Sequence, residues 1–181
     1  MMRFWGFLVL LAVVGSAALA DESSPARVFD FKGVVIGGPT TLKEIQEKLG
    51  VRCVGDWGGA FSYVCNGSTT IAQENAYLNL VVNAQHVVQR IALHFDSRSF
   101  EVIERELIRK FGQPVETERH ALQNAFGAAF EQVEHRWVGS DGTEVTFQRF
   151  AGKFDKSLLY FSTAEDRAIL EKSNKDRSKD M

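Results

Sequence analysis

The sequence predicts an α+β fold made of two tandem units, each a helix packed on a small antiparallel sheet. Three observations predict it. Two amphipathic segments end in glycines 62 residues apart, at Gly50 and Gly112. Each is followed by stretches in which apolar and polar residues alternate, the pattern of half-buried strands. The two segments also match along their length: Ile45 with Leu107, Glu44 with Glu106, Lys48 with Lys110, Leu49 with Phe111. Such a helix buries its apolar stripe against one face of a sheet. The order helix–strand–strand–strand, read twice, therefore predicts an internal repeat with units at 28–97 and 98–163.

Residues 1–20, MMRFWGFLVLLAVVGSAALA, carry one charge, then an apolar run, then Ala18-Leu19-Ala20. This reads as a signal peptide rather than a membrane anchor, because the run is short and polar residues follow at once. Residues 21–27 read as a flexible lead-in. The whole chain has 21 Lys and Arg against 23 Asp and Glu. Removing the leader takes one of those basic residues, Arg3, and leaves a net charge of −3. No basic block remains, which argues against a nucleic-acid partner. The 14 Phe residues supply a hydrophobic core.

The segment 28–37, VFDFKGVVIG, is rich in strand formers and stops at Gly37-Gly38-Pro39. Thr41 with Glu44 has capping-box spacing, Leu42, Ile45 and Leu49 share a helical face, and Gly50 suits a C-terminal cap, so 41–49 is a helix. AFSYVC (60–65) alternates as a strand, Asn66-Gly67 reads as a hairpin turn, and STTIAQ (68–73) as the return strand. Residues 76–85 and 87–95 read as two further strands around a turn at 83–86. Over 97–114, Phe100, Ile103, Leu107 and Phe111 share a face, Ser99 is placed to cap, and Gly112 with Pro114 ends the helix. Residues 116–132 are polar and Ala-rich without clean periodicity, and read as loop or broken helix. Residues 133–139 and 143–150 form a hairpin around Ser140-Asp141-Gly142, and 156–163 is the last strand. Thr163 opens a terminal helix at 164–173, followed by a charged tail at 174–181.

Cys53 and Cys65 are the only cysteines and lie 12 residues apart. The spacing is not C-x-x-C, and zinc would lack further ligands nearby. In an exported chain the pair reads as a structural disulfide.

The stretch from the glycines at 37–38 through the helix at 41–49, Gly50, Cys53, Cys65 and Asn66-Gly67 resembles the β-lactamase inhibitor protein family. The motif match is confined to 37–67. The related small outer-membrane lipoprotein of the β-barrel assembly machinery is similar as a single unit. The resemblance implies an exported, disulfide-bearing, non-enzymatic protein that binds another protein on its sheet. It departs from the family in having no cysteines in its second unit and no lipid-attachment cysteine. A slighter likeness links Tyr63-Val64-Cys65-Asn66-Gly67 to periplasmic C-type lysozyme inhibitors.

Catalytic constellations are sparse. His86, His94, His120 and His135 are scattered without metal-ligand spacing, so no metal or other cofactor is expected. No G-x-S-x-G is present, and paired cysteines offer no thiolate. Gly33, Gly37 and Gly38 before a helix lack the Lys-Ser/Thr of a phosphate loop. The charged residues of 101–110 read as a solvated helix face. Aromatic residues on strands or loop edges are the best candidates for partner contact, Trp57, Phe61, Tyr63, Tyr77 and Trp137, with core packing the competing reading and the favoured one for Trp137. The expectation is a periplasmic or secreted, non-catalytic protein-binding module, an inhibitor or immunity-like factor. The partner would be an exported enzyme or an envelope component, with no stable membrane anchor once the leader is gone. An envelope-assembly accessory and a small-ligand carrier are the alternatives.

Overall fold

A computed structural model describes residues 27–55, 62–123 and 126–179. The expected signal peptide, nearly all of the lead-in, and Trp57 and Phe61 lie outside these residues. The chain opens with a small hairpin, β1 (Asp30–Phe31) and β2 (Val34–Val35). Helix α1 (Leu42–Leu49) follows, then β3 (Arg52–Gly55), β4 (Tyr63–Ile71), β5 (Glu74–Val82) and β6 (Val88–Asp96). A short 3-10 turn leads into α2 (Phe100–Phe111). The chain ends with β7 (Glu116–Gln123), β8 (Ala129–Val138), β9 (Glu144–Gln148), β10 (Lys156–Ser162) and α3 (Ala164–Lys179).

These strands correct the expected architecture. The protein is mostly β, with one eight-stranded antiparallel sheet in the order β3-β4-β5-β6-β10-β9-β8-β7. It is not two tandem helix-on-sheet units. The two four-stranded meanders are fused by the pairing of β10 with β6, seven residue pairs from Lys156↔Asp96 to Ser162↔Arg90. That ladder crosses the boundary expected at residue 97. The segments after each helix had been read locally, and local alternation carries no information about which strands pair at long range.

One core lies under the sheet. Leu78, Leu80, Leu93, Phe95, Leu159, Phe161, Val145 and Phe147 project alternately from neighbouring strands into it. Ile45 and Leu49 of α1 and Ile103, Leu107 and Phe111 of α2 fill the same cluster. Phe147 stacks on Phe100 at 4.4 Å between ring centroids, and Phe29, just before β1, meets Phe111 edge-on at 5.1 Å. Both helices form as their sequences indicate. The Thr41 hydroxyl accepts from the Glu44 amide, and Gly50 takes a left-handed φ of 67° as it closes α1. Ser99 departs from its expected role. Its hydroxyl donates to Glu74 Oε2 at 2.7 Å, and Asp96 caps the preceding turn by accepting from the Arg98 amide.

Three local readings also change. Asn66-Gly67 is no turn: β4 runs straight through it, with Asn66 opposite both Arg52 and Asn79. A Cβ at Gly67 would sit 3.3 Å from Val51 Cγ1, so a side chain there would press on Val51 by a few tenths of an ångström. The reversal falls instead at Ala72 and Gln73, which take positive φ values of 50° and 68°. The segment 116–132 holds β7 and the start of β8, not a loop or broken helix. β7 is an edge strand that is exposed along almost all of its length, so no buried face imposes periodicity on it. Cross-strand ion pairs accompany its ladder, Arg136 to Glu116 at 2.8 Å and Arg119 to Glu131 at 2.9 Å. Finally, α3 runs to Lys179 and absorbs much of the expected tail.

Cys53 and Cys65 are bonded, and they sit directly opposite each other on β3 and β4. Replacing both with alanine frees the short edge strand and should lower unfolding free energy by about 3 kcal/mol in a urea titration under oxidising conditions. Phe147→Ala removes a fully buried ring from the stack on Phe100. It should cost about 3–5 kcal/mol in the same titration.

Candidate functional site

The side of the sheet turned away from α1 and α2 is built from the other half of each strand's alternation. Ser68, Tyr77, His94 and Leu158 stand in one row across β4, β5, β6 and β10. Asn66, Asn79, Ala92 and Tyr160 form the next row. A cleft of about 710 Å³ opens at the end of the sheet, where Tyr77 and His94 of this face meet Thr69, Ala76 and Phe95 of the helix side and Ser99 and Val102 at the start of α2. Tyr77 and His94 border it together with Glu74, Asp96, Arg98 and Lys156. Tyr77 is half exposed, the largest aromatic area on this face among the described residues.

The local charges are arranged by the turn into α2. Arg98 donates to the Asp96 carboxylate from Nε at 2.9 Å and Nη2 at 2.7 Å, and its backbone amide donates as well. The bonds from Arg98 hold the Asp96 carboxyl well below the usual carboxylate range. Asp96 is thus an ionised, committed partner rather than a proton donor. Also in the cleft are the Tyr77 phenol, the His94 imidazole and the Lys156 ammonium, which donate hydrogen bonds, and the Glu74 carboxylate, which accepts from the Ser99 hydroxyl. The cleft therefore offers both donors and acceptors, and one hydroxyl–carboxylate pair, Ser99 with Glu74 at 2.7 Å, lies in its wall.

The opposite end of the face is occupied by the start of α3. The side chain of Asp166 is wholly buried and accepts from Arg90 Nε at 2.9 Å, Arg90 Nη2 at 2.6 Å and the Tyr160 hydroxyl at 2.9 Å. Its amide donates to the Thr163 hydroxyl, which in turn donates to Gln89 Oε1. Burial, and then the charge of Asp166, push the Tyr160 phenol above its ordinary range. The network pins the first turn of α3 across the sheet.

The three described aromatics of the five picked out in the sequence do not form one surface. Tyr63 lies on the helix side, where its ring covers Gly55 and tilts against His86 at 5.3 Å. Tyr77 lies on the other side and near the other end of the hairpin. Trp137 is fully buried, and its indole donates to the Gly112 carbonyl at 2.8 Å, so it serves the core and offers no contact area. Trp57 and Phe61 are among the residues not described. Sequence reading missed the cleft because Asp96, Arg98 and Lys156 come from two segments brought together only by the β6–β10 pairing. The one legible signal was the alternation around Tyr77 in β5.

Of the histidines, His135 is a buried core residue, and its position could have been read from the alternation Val133, His135, Trp137. It shares hydrogen bonds with Glu104 Oε1 at 2.6 Å and Thr117 Oγ1 at 2.9 Å. These three residues do not line the 710 Å³ cleft. Among the described residues no three His, Cys, Asp or Glu side chains gather as metal ligands. No described helix is long and apolar enough to cross a membrane.

The fold and this face define a disulfide-bearing, mostly β protein with one large antiparallel sheet. Compared with protein-family models, with curated proteins and with solved structures, the chain matches none of them.

The Tyr160 network has an alkaline signature. The folded phenol keeps its proton to higher pH than the unfolded one, which ionises near pH 10. The folded state therefore binds more protons as pH rises past that value, and stability falls there. Its contribution is complete below pH 10 and is lost above it. Urea midpoints measured from pH 8 to 11 should fall less steeply above pH 10 in Tyr160→Phe than in the parent chain.

Proposed function

We propose that this protein is an exported, non-catalytic module that binds another protein through the open face of its sheet. The observation that carries the reading is the half-exposed Tyr77 beside His94 on the face that α1 and α2 leave uncovered, at the rim of a broad cleft that continues round the end of the sheet to α2. A phenol at such a position supplies contact area with little rotamer entropy to lose, and residues of this type dominate interface energies. The groups around it both donate and accept hydrogen bonds, which suits a partner surface of mixed polarity. Export is supported by the leader-like first twenty residues and by the Cys53–Cys65 bond. The motif resemblance to β-lactamase inhibitor proteins at 37–67 points the same way.

Affinity capture tests the reading. The oxidised chain lacking residues 1–20 should retain one stoichiometric protein from an envelope extract of its source. Tyr77→Ala should weaken that complex at least 30-fold, the loss expected when a central interface aromatic is truncated. His94→Ala should weaken it by less. Undiminished capture by the Tyr77→Ala, His94→Ala double variant would remove the open face from consideration. The identity of the partner separates an inhibitor of an exported enzyme from an accessory of envelope assembly.

A further inference from the structure

On the helix side, a second cleft of about 310 Å³ enters the core between α2 and the tips of two hairpins. We propose that it is a binding site for a single-chain amphiphilic anion, an alkyl carboxylate of medium length. Its innermost walls are Ile103, Leu107, Leu159 and Phe161, all buried and all apolar. A polar ligand reaching those walls would lose its hydrogen bonds to water without replacement. An alkyl chain gains from every methylene it buries. The volume lies at the small end of ligand pockets and leaves no room for a two-chain lipid.

The mouth selects the head group. Three cations stand there: Lys32, Arg109 and Lys110. Two of them already have carboxylate partners, Arg109 with Glu106 at 2.6 Å and Lys110 with Asp30 at 3.0 Å. Lys32 Nζ donates only to hydroxyls, of Thr69 at 3.0 Å and Thr70 at 3.4 Å, and no carboxylate among the described residues pairs with it. Its ammonium also lies 5.6 Å from the centre of the Phe31 ring, a lining residue. The mouth thus has one positive charge in excess, held at the edge of an apolar slot. A neutral hydrocarbon would leave that charge unanswered, and a cationic amphiphile would be repelled.

The backbone around the mouth is unusual in the same sense. Lys32 and Ala72 both line the cleft, and both are non-glycine residues with left-handed φ, at 49° and 50°. Each sits in the tight turn of a hairpin. Residues held in sparsely populated conformations concentrate at ligand clamps. Here the two strained turns face each other across the entrance.

The test is calorimetric titration of the full oxidised chain with straight-chain carboxylates from hexanoate to tetradecanoate. Binding should be saturable at one per chain and tighten about fourfold per added methylene until the slot is full, then level off. 1-Octanol should bind more weakly than octanoate, and octylammonium should not bind. Lys32→Asn removes the charge with a residue that tolerates left-handed φ. It should weaken octanoate about tenfold while leaving 1-octanol unchanged. Ile71→Trp, which narrows the mouth, should abolish binding of both, and a thermal melt confirms that each variant is folded. The proposal is overturned if no carboxylate binds saturably, if Lys32→Asn binds octanoate as tightly as the parent, or if affinity keeps rising through tetradecanoate, which would indicate adsorption to the surface.

Discussion

The ladder between β6 and β10 is the constraint on which the rest of the structure depends. Neither four-stranded meander has a complete core by itself. Phe95 on β6 and Phe147 on β9 stack at 5.9 Å only because β10 lies between their strands. Joining the meanders satisfies the backbone groups of two strands that would otherwise be edges, and it makes a single surface wide enough for α1 and α2 to share. The true edges that remain are handled differently. β3 is short and covalently tied to β4, whereas β7 is long, exposed and charged through its first half. Charged side chains and short length both discourage unwanted strand addition.

The same ladder creates the functional geography. It brings Lys156 beside Asp96 and so completes the cleft around Tyr77 and His94. It also sets Tyr160 next to Ala92, close to Arg90, where both can reach Asp166 of α3. A buried carboxylate is tolerated there because three directed hydrogen bonds replace its water. The consequence is a sheet face with one end covered by a helix start and the other left open around Tyr77.

The two proposed sites draw on different physics: the first centres on Tyr77, on the face away from α1 and α2, and the second lies on the helix side. The open face is broad and polar, with one large half-exposed ring, which suits a folded macromolecular surface. The slot beside α2 is narrow and apolar with one unbalanced cation, which suits an extended chain with a small anionic head. They share the β4–β5 hairpin, where Thr69 and Thr70 both hold Lys32, Thr70 lines the slot, and Thr69 borders the cleft with Ser68 and Tyr77.

Local chemistry was legible in the sequence by itself. The helices α1 and α2, the Thr41 cap, the glycine stops and the alternating strands of the second half all follow from interactions within a few residues. The pairing of Cys53 with Cys65 was legible too, because only two cysteines were available. What the tertiary structure decided was every feature set by long-range pairing or packing. Asn66-Gly67 looks like a turn, yet two neighbouring strands and the bulk of Val51 hold it extended. Residues 116–123 have no periodicity, yet β8 recruits them as an edge. Trp137 reads as a possible contact residue, yet the Gly112 carbonyl and the core claim it. Whether two units stay separate or merge into one sheet is settled by the match of β6 to β10 across more than sixty residues of chain, and no local pattern encodes that match.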